Sequence, residues 1–315
     1  MGILNWLTGN GSAAPQQAPA ANSGAAEDDP FSRVINIESL NFVGMCARSP
    51  NKRFTVAWVD GGPDQARTGR YLLLDGQRVI VEGKMARPND GRVTDDGVFI
   101  LNDWGSMETL NGTFAAFGPD GRKLVSRKFS TNLYNNGLSP DGRFAVCQTA
   151  NAPGEDGNLL TLFDLQAGKP INAWQPESGW ASYYEFPANT QTIRLGYRDR
   201  GAFAYNFDGT FPDRMKWLAA GLQNGDIFIM EKLLGECESQ PSPGLATQLL
   251  AGIDRALAKL RKDDAKTRAR LLKSRGICLE ATAEAKQALA AYDEALALDP
   301  KIGVKQRADQ LRRVV

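Results

Sequence analysis

The strongest constraint on the fold is an internal repeat with a period of 45 residues. The segments 49–54, 94–99 and 139–144 read SPNKRF, TDDGVF and SPDGRF, so their last phenylalanines are 45 residues apart. A weaker copy, PANTQTI, follows at 187–193. In each copy, turn-forming residues lead into a short apolar run, which is typical of a strand that follows a tight turn. Such a repeat predicts a β domain of stacked units.

A second series of turns recurs in register with the first. Its members are Asp75, Asp120, Asp164 and Asp208, at spacings of 45, 44 and 44 residues, each inside an apparent hairpin. We interpret them as turn formers, because Asp bonds to turn backbone and Gly accepts a positive φ. Calcium binding by Asp95 and Asp96, or by Asp120, is not predicted, because no D-x-D-x-D-G spacing is present. The two series divide the first unit into four antiparallel strands, at about 41–47, 54–60, 69–75 and 78–84. Four such strands make one propeller blade.

The SPDGRF turn at 139–144 and its partial copies resemble the WD-like propeller repeats of the S-P-D-G type, over about 41–217. The resemblance implies a mainly β fold, a β-propeller-like repeat domain with four evident blades. A fifth blade is expected only if the segments 33–37 and 225–230 combine to supply it.

The chain changes character from Ser242, where it becomes rich in Ala, Leu and Lys at helical spacing. The segment 269–302 resembles one tetratricopeptide repeat. Its small, aromatic and proline positions are Gly276, Ala288, Tyr292, Ala295 and Pro300. The resemblance implies a helical hairpin that packs against helices before and after it, since a lone repeat cannot bury both faces.

The expected organisation therefore has three parts. Residues 1–30 are poor in large apolar side chains after the first few positions, which predicts a flexible N-terminal segment. Residues 31–236 are predicted to form the propeller-like domain, and residues 242–315 the α-helical, tetratricopeptide-like C-terminal tail.

Composition narrows the possible chemistry. The chain has no histidine, which removes Ser-His-Asp and Cys-His nucleophiles and every metal site built on imidazole. Its four cysteines, Cys46, Cys147, Cys237 and Cys278, form no C-x-x-C pair, so we expect free thiols in a reducing, cytoplasmic setting. No phosphate-binding glycine motif is present either. We predict that the protein is not an enzyme and uses no cofactor or metal.

The loops between the second and third strands of propeller blades share one face, where partners usually bind. They bring together charged and aromatic side chains of the kind found at interface hot spots. The candidates are Trp58, Asp60, Asp103, Trp104, Asn151, Glu155, Asp156, Arg198, Asp199 and Arg200. Ordinary solvated loops are the alternative. A carbohydrate-active site using Asp60 and Asp103 is another, since glycoside hydrolysis needs two carboxyl groups.

Two further segments could contact partners. A basic series recurs at three- and four-residue intervals and would form one positive stripe on a continuous helix: Arg255, Lys259, Lys262, Lys266, Arg270 and Lys273. We interpret this stripe as a solvated helix face. It could instead bind an acidic protein, an anionic lipid or a second copy of the chain. Nucleic acid is not expected, because no aromatic side chains lie between the basic residues. At the N-terminus, an apolar turn could contact a membrane or partner through Ile3, Leu4, Trp6 and Leu7.

These features together predict a scaffold or adaptor. It would bind another protein through the propeller loops and the helical tail, and the tail could also mediate self-association. The alternatives are a ligand-sensing or carbohydrate-active propeller with a carboxylate-lined pocket, and a membrane-associated assembly factor that uses the N-terminal apolar residues.

Overall fold

The computed structural model describes residues 33–61, 68–105, 110–238 and 240–315, which fall into two compact units. A β unit ends at Asp213, and a helical unit begins at Arg214. The flexible segment predicted for 1–30, with Ile3, Leu4, Trp6 and Leu7, lies outside the described residues.

The β unit contains four antiparallel sheets whose strands follow chain order. The first sheet consists of β1 (Val34–Ile37), β2 (Phe42–Arg48), β3 (Phe54–Val59), β4 (Gly69–Asp75) and β5 (Arg78–Met85). The second consists of β6 (Pro88–Val93), β7 (Phe99–Asp103), β8 (Gly112–Phe117) and β9 (Lys123–Phe129). The third consists of β10 (Leu133–Leu138), β11 (Phe144–Thr149), β12 (Leu160–Asp164) and β13 (Lys169–Trp174). The fourth consists of β14 (Tyr183–Glu185), β15 (Thr192–Tyr197) and β16 (Gly201–Asn206). The series of antiparallel sheets confirms a β-propeller-like repeat fold.

A hydroxyl side chain opens each of the first three repeated turns: Ser49, Thr94, whose Oγ1 accepts from the Val98 amide at 3.1 Å, and Ser139. The Oγ of Ser139 accepts a hydrogen bond from the Phe144 amide at 2.8 Å, and the Oγ of Ser49 does the same for Phe54 at 3.0 Å. The backbone closes each turn, and in the third sheet Gly142 takes a left-handed φ of 66° that favours glycine. The first and third copies of the sequence repeat thus share the same hydrogen bond.

Aromatic and branched side chains fill the space between successive sheets. Because side chains alternate along a strand, Phe99 faces the first sheet while its neighbour Ile100 faces the third. Phe99 stacks on Phe117 next to Tyr71, and Phe114 stacks on Phe163 with ring centroids 4.6 Å apart. Each inner sheet is therefore buried on both faces.

The predicted fifth blade does not form from its two candidate segments. Segment 33–37 supplies β1, which pairs with β2 as an extra strand of the first sheet. Segment 225–230 is helical, because Asp226 caps it by accepting hydrogen bonds from the amides of Phe228 and Ile229. The fourth sheet also lacks an outer strand. Asp208 forms the expected turn, accepting from the Thr210 amide at 2.9 Å, but a helix follows instead of a hairpin strand.

The boundary predicted at residue 236 was therefore wrong, because the helical unit begins at Arg214. Its helices are α1 (Arg214–Asn224), α2 (Ile227–Gly235), α3 (Pro243–Lys259), α4 (Ala265–Ala281), α5 (Ala285–Leu298) and α6 (Lys305–Leu311). No helix in the described ranges combines the length and apolar character needed to cross a membrane.

Helices α4 and α5 form a tightly packed pair joined by the short connection 282–284. Gly276 allows the close approach: a Cβ at this position would lie 2.3 Å from the Tyr292 ring. Tyr292, Ala288 and Ala295 are fully buried, and α5 ends at Leu298, just before Pro300. The small and aromatic positions of the sequence pattern thus lie in the packed core of the helical unit.

Candidate interaction face

In the second, third and fourth sheets, the loop between the second and third strands lies at the edge where the first strand begins. In the first sheet, which has the extra strand β1, the corresponding loop follows β3 and lies at the edge where β2 begins. Backbone hydrogen bonds mark this edge: the Trp104 amide donates to the Arg87 carbonyl at 3.0 Å, and the Ala150 amide to Asn132 at 2.8 Å. We call this edge, with its loops and the segments that enter β6, β10 and β14, the loop face. It is the face on which the sequence placed the partner-binding candidates.

Asp103 organises the start of the second sheet. It is 8% exposed, and its carboxylate accepts hydrogen bonds from the backbone amides of Ala86, Arg87 and Gly105 at 3.0, 2.7 and 2.8 Å. Three donors on one buried carboxylate hold the chain in a fixed path and leave little of the carboxylate for a substrate. Asp103 is a structural anchor beneath the loop face.

Arg87 links the first sheet to the second. Its guanidinium pairs with Asp60 at 3.2 Å and lies over the Trp104 ring at 5.7 Å from the centroid. Both carboxylates that the sequence suggested as a catalytic pair therefore have protein partners, since Asp60 binds the Arg87 side chain and Asp103 binds its amide. The arrangement fits positioning of Trp104 better than acid–base chemistry.

Exposed aromatic side chains continue across the face. The Trp104 indole N–H donates to the Leu133 carbonyl at 3.0 Å, and the next residue, Tyr134, stacks on Trp180 with centroids 5.1 Å apart. Trp104, Tyr134, Trp180 and Tyr183 are each between 37% and 46% exposed. We call these four residues the aromatic row; it extends from the second sheet to the fourth.

A buried hydrogen-bond network fixes the segment that carries Trp180. Gln148 accepts from the Ala181 amide at 3.0 Å and donates to the Gly179 carbonyl at 3.3 Å. Ser178 donates its amide to the Tyr205 hydroxyl at 3.1 Å. Burial raises the pKa of the Tyr205 hydroxyl to about 12. These hydrogen bonds hold the segment that carries Trp180 in one position.

An apolar groove lies beside the row on the first sheet. Its exposed members are Val34, Val43 and Met45, and it has a volume of about 340 Å³. Trp58 forms the base of this groove; it is only 6% exposed, because it lies in β3 and packs into the core rather than in the following loop.

The remaining loop candidates lie on the face without forming one cluster. Asn151 accepts from the Asn158 side chain at 2.9 Å, and Glu155 is exposed in the same loop. Asp156 anchors that loop by accepting from the Ser130 amide at 2.7 Å. In the fourth sheet, Arg198 and Asp199 are exposed, while Arg200 lies over the Tyr197 ring.

The basic stripe does not exist as predicted, because the helix is interrupted. Helix α3 ends at Lys259 and α4 begins at Ala265, which leaves Lys262 in a turn and separates Arg255 from Lys266. Several of the cations bind within the helical unit: Lys259 to the Asn224 carbonyl, Arg270 to Glu231 and Lys273 to the Ile302 carbonyl. These side chains contribute to packing between helices.

The aromatic row and Arg87 include residues that the sequence did not suggest. Tyr134, Trp180 and Tyr183 lie at or before the start of first strands, where the other repeats carry different residue types.

In the described ranges, no group of three Cys, Asp or Glu side chains is arranged to hold a metal ion.

The fold and this face define a β-propeller-like repeat protein with a helical C-terminal part. No protein-family model and no curated protein matches the chain. Among solved structures, it is similar to the computationally designed Ika8 protein, with 12% identity, a TM-score of 0.36 and coverage of 51% of this chain and 44% of that one. It is also similar to the Dos1 propeller, with 10% identity, a TM-score of 0.38 and coverage of 55% and 46%. The chain spans less than half of either structure, so function has to be argued from its own residues.

Proposed function

We propose that the protein is a non-enzymatic scaffold or adaptor that binds another protein through the aromatic row on the loop face. The observation that carries this proposal is the exposure of Trp104, Tyr134, Trp180 and Tyr183 on a rigid framework. Trp, Tyr and Arg are the residues that most often supply binding energy at protein interfaces. A fixed row also loses less side-chain entropy on binding than a mobile one.

The helical unit would provide the second binding surface of this adaptor. Its packed pair α4 and α5 has the Gly276 and Tyr292 arrangement that led to the tetratricopeptide comparison. Tetratricopeptide and WD-like repeats both build binding surfaces by stacking simple units, which supports an adaptor with two modules. Asp60 and Asp103 bind the side chain and the backbone amide of Arg87, so we do not propose a catalytic function for them.

Site-specific photo-crosslinking tests the proposal. A benzophenone amino acid would replace Tyr183 in the full chain, in cells, and the crosslinked protein would be identified by mass spectrometry and purified. Its affinity would then be measured by calorimetry for wild-type chain, Tyr134→Asp and Trp180→Asp. We expect each substitution to weaken binding at least about tenfold, because both rings belong to the row.

Ile171→Asp is the matched control, since Ile171 is an equally exposed apolar residue of β13 that lies outside the row. Its affinity should equal that of the wild-type chain. Equal losses for Ile171→Asp and Tyr134→Asp, or no loss for either aromatic substitution, would overturn the proposal. Circular dichroism of each variant separates loss of binding from loss of fold.

A further inference from the structure

Strand β1 forms one edge of the first sheet, and its own residues carry none of the features that usually protect an edge strand. In the described part of the chain, β1 pairs only with β2, in a register that places Val34 opposite Met45 and Ile37 opposite Phe42. None of its four residues is buried. An edge strand of this kind presents unpaired N–H and C=O groups that can pair with another extended segment.

The strands that end the four sheets, β5, β9, β13 and β16, are protected. Natural sheets prevent unwanted pairing with charged side chains and prolines on their edges. Three of these last strands carry such residues: Arg78, Glu82 and Lys84 in β5, Lys123, Arg127 and Lys128 in β9, and Lys169 and Pro170 in β13. In β16, which is uncharged, the Asp213 carboxylate accepts from the Ala204 amide at 2.9 Å. By contrast, β1 reads Val-Ile-Asn-Ile, with no charge, proline or glycine.

The apolar groove adjoins this edge. Val34 and Met45 are cross-strand partners, and Val43 lies two residues from Met45, so all three point to the same side of the sheet. Their exposed fractions are 49%, 40% and 58%. Side chains two residues apart on an added strand would point to that same side, so a partner with apolar residues at alternate positions would cover them.

We propose that β1 and the apolar groove bind an extended segment of a partner protein, which adds a strand to the first sheet. Backbone hydrogen bonds would pair the segment with β1, and its alternate apolar side chains would contact Val34 and, where they are long, extend over β1 to Val43 and Met45 on the next strand. Four residues give an edge about 13 Å long. A stable dimer of globular chains buries about 800 Å² per partner, which a single short edge does not provide, so the occupant is a segment rather than a second copy.

This inference rests on the proposed function, and it adds that the partner binds through an extended segment with apolar residues at alternate positions. The probe is a display library of random dodecapeptides, selected on the full wild-type chain. Recovered peptides would be synthesised, and their affinities compared for wild type, Val34→Lys, Val43→Lys and Ile171→Lys. Val34 and Val43 are exposed, so lysine at these positions should not disturb folding, and Ile171→Lys is the control for an added charge elsewhere.

We expect recovered peptides with apolar residues at alternate positions. Each valine substitution should weaken their binding by at least about tenfold, because a desolvated lysine opposes pairing at the edge. Ile171→Lys should have no effect. In hydrogen–deuterium exchange, bound peptide should slow exchange of the backbone amides of β1.

Several outcomes would overturn the inference: no peptide recovered, recovered peptides without alternation, or protection outside the first sheet. A dimer of wild-type chain that Val34→Lys dissociates would also overturn it in favour of a second copy. If the lysine substitutions have no effect while Tyr134→Asp still abolishes binding of the crosslinked partner, this inference fails and the proposed function stands.

Discussion

Trp104 and Leu133 join the second sheet to the third on the loop face. The indole N–H of Trp104 donates to the Leu133 carbonyl at 3.0 Å, and the residue after Leu133 is Tyr134, which stacks on Trp180. One hydrogen bond thus connects the loop of one sheet to the aromatic stack between the next two.

Replacing Trp104 by Phe should lower the free energy of unfolding by about 1 kcal/mol, because the Leu133 carbonyl loses this donor. Urea denaturation would measure the change. Trp180→Phe is the matched control: it keeps an aromatic ring on Tyr134, so we expect a change within about 0.5 kcal/mol. Equal losses in the two variants would show that ring size, not the hydrogen bond, determines stability here.

Replacing Asp103 by Ala should lower the free energy of unfolding by about 3 kcal/mol, since three backbone amides lose a buried, charged acceptor. Asp103→Asn should be intermediate, because its amide oxygen can still accept. Asp199→Ala, at a largely exposed carboxylate, should be nearly neutral. Thermal denaturation followed by circular dichroism tests the order, and a fully stable Asp103→Ala protein would contradict the anchoring role.

Replacing Gly276 by Ala should destabilise the helical unit by about 1–3 kcal/mol, because the added Cβ would overlap the Tyr292 ring. Gly235→Ala is the control, since nothing lies within 4 Å of the Cβ position there. That change should be neutral or should stabilise α2 by up to about 1 kcal/mol, owing to the higher helix propensity of Ala. Guanidinium denaturation of both variants gives the comparison, and equal effects would refute the packing argument.

The cysteines should differ in reactivity. Burial raises the pKa of the Cys278 thiol to about 12 and that of Cys147 well above its usual value. A raised pKa lowers the thiolate fraction at a given pH, and the thiolate is the reacting form. Cys237 is only half-buried. Maleimide labelling at pH 8, read by mass spectrometry, should modify Cys237 first and Cys147 and Cys278 only after denaturant is added. Rapid labelling of Cys147 in the native protein would contradict its burial.

Much of the fold could be predicted because its signals are local. The first sheet was predicted as strands at 41–47, 54–60, 69–75 and 78–84, and each agrees with the structure to within one residue. Turn residues and alternating apolar positions determine such boundaries within a few residues of chain. The segment 225–230 was misread because a short apolar run fits a buried strand and a buried helix equally well. Asp226, its N-cap, was the overlooked signal.

The loop face was harder to predict in detail. Loop connectivity placed Asp60, Asp103 and Trp104 at the correct edge, yet it could not show that Arg87 and three backbone amides bind the two carboxylates. The exposure of Tyr134 and Trp180 depends on neighbours that are distant in sequence. Repeat comparison could not reveal these residues, since their equivalents in the other sheets are of different types.

The order of the strands has a consequence for synthesis of the chain. Every strand pair in the β unit joins neighbours in sequence, and Met85 completes the first sheet before Pro88 begins the second. A nascent chain leaving the ribosome can therefore finish each sheet from residues already emerged, without waiting for a distant strand. The side chains of each new sheet can then pack against the apolar surface of the preceding sheet, which has already formed.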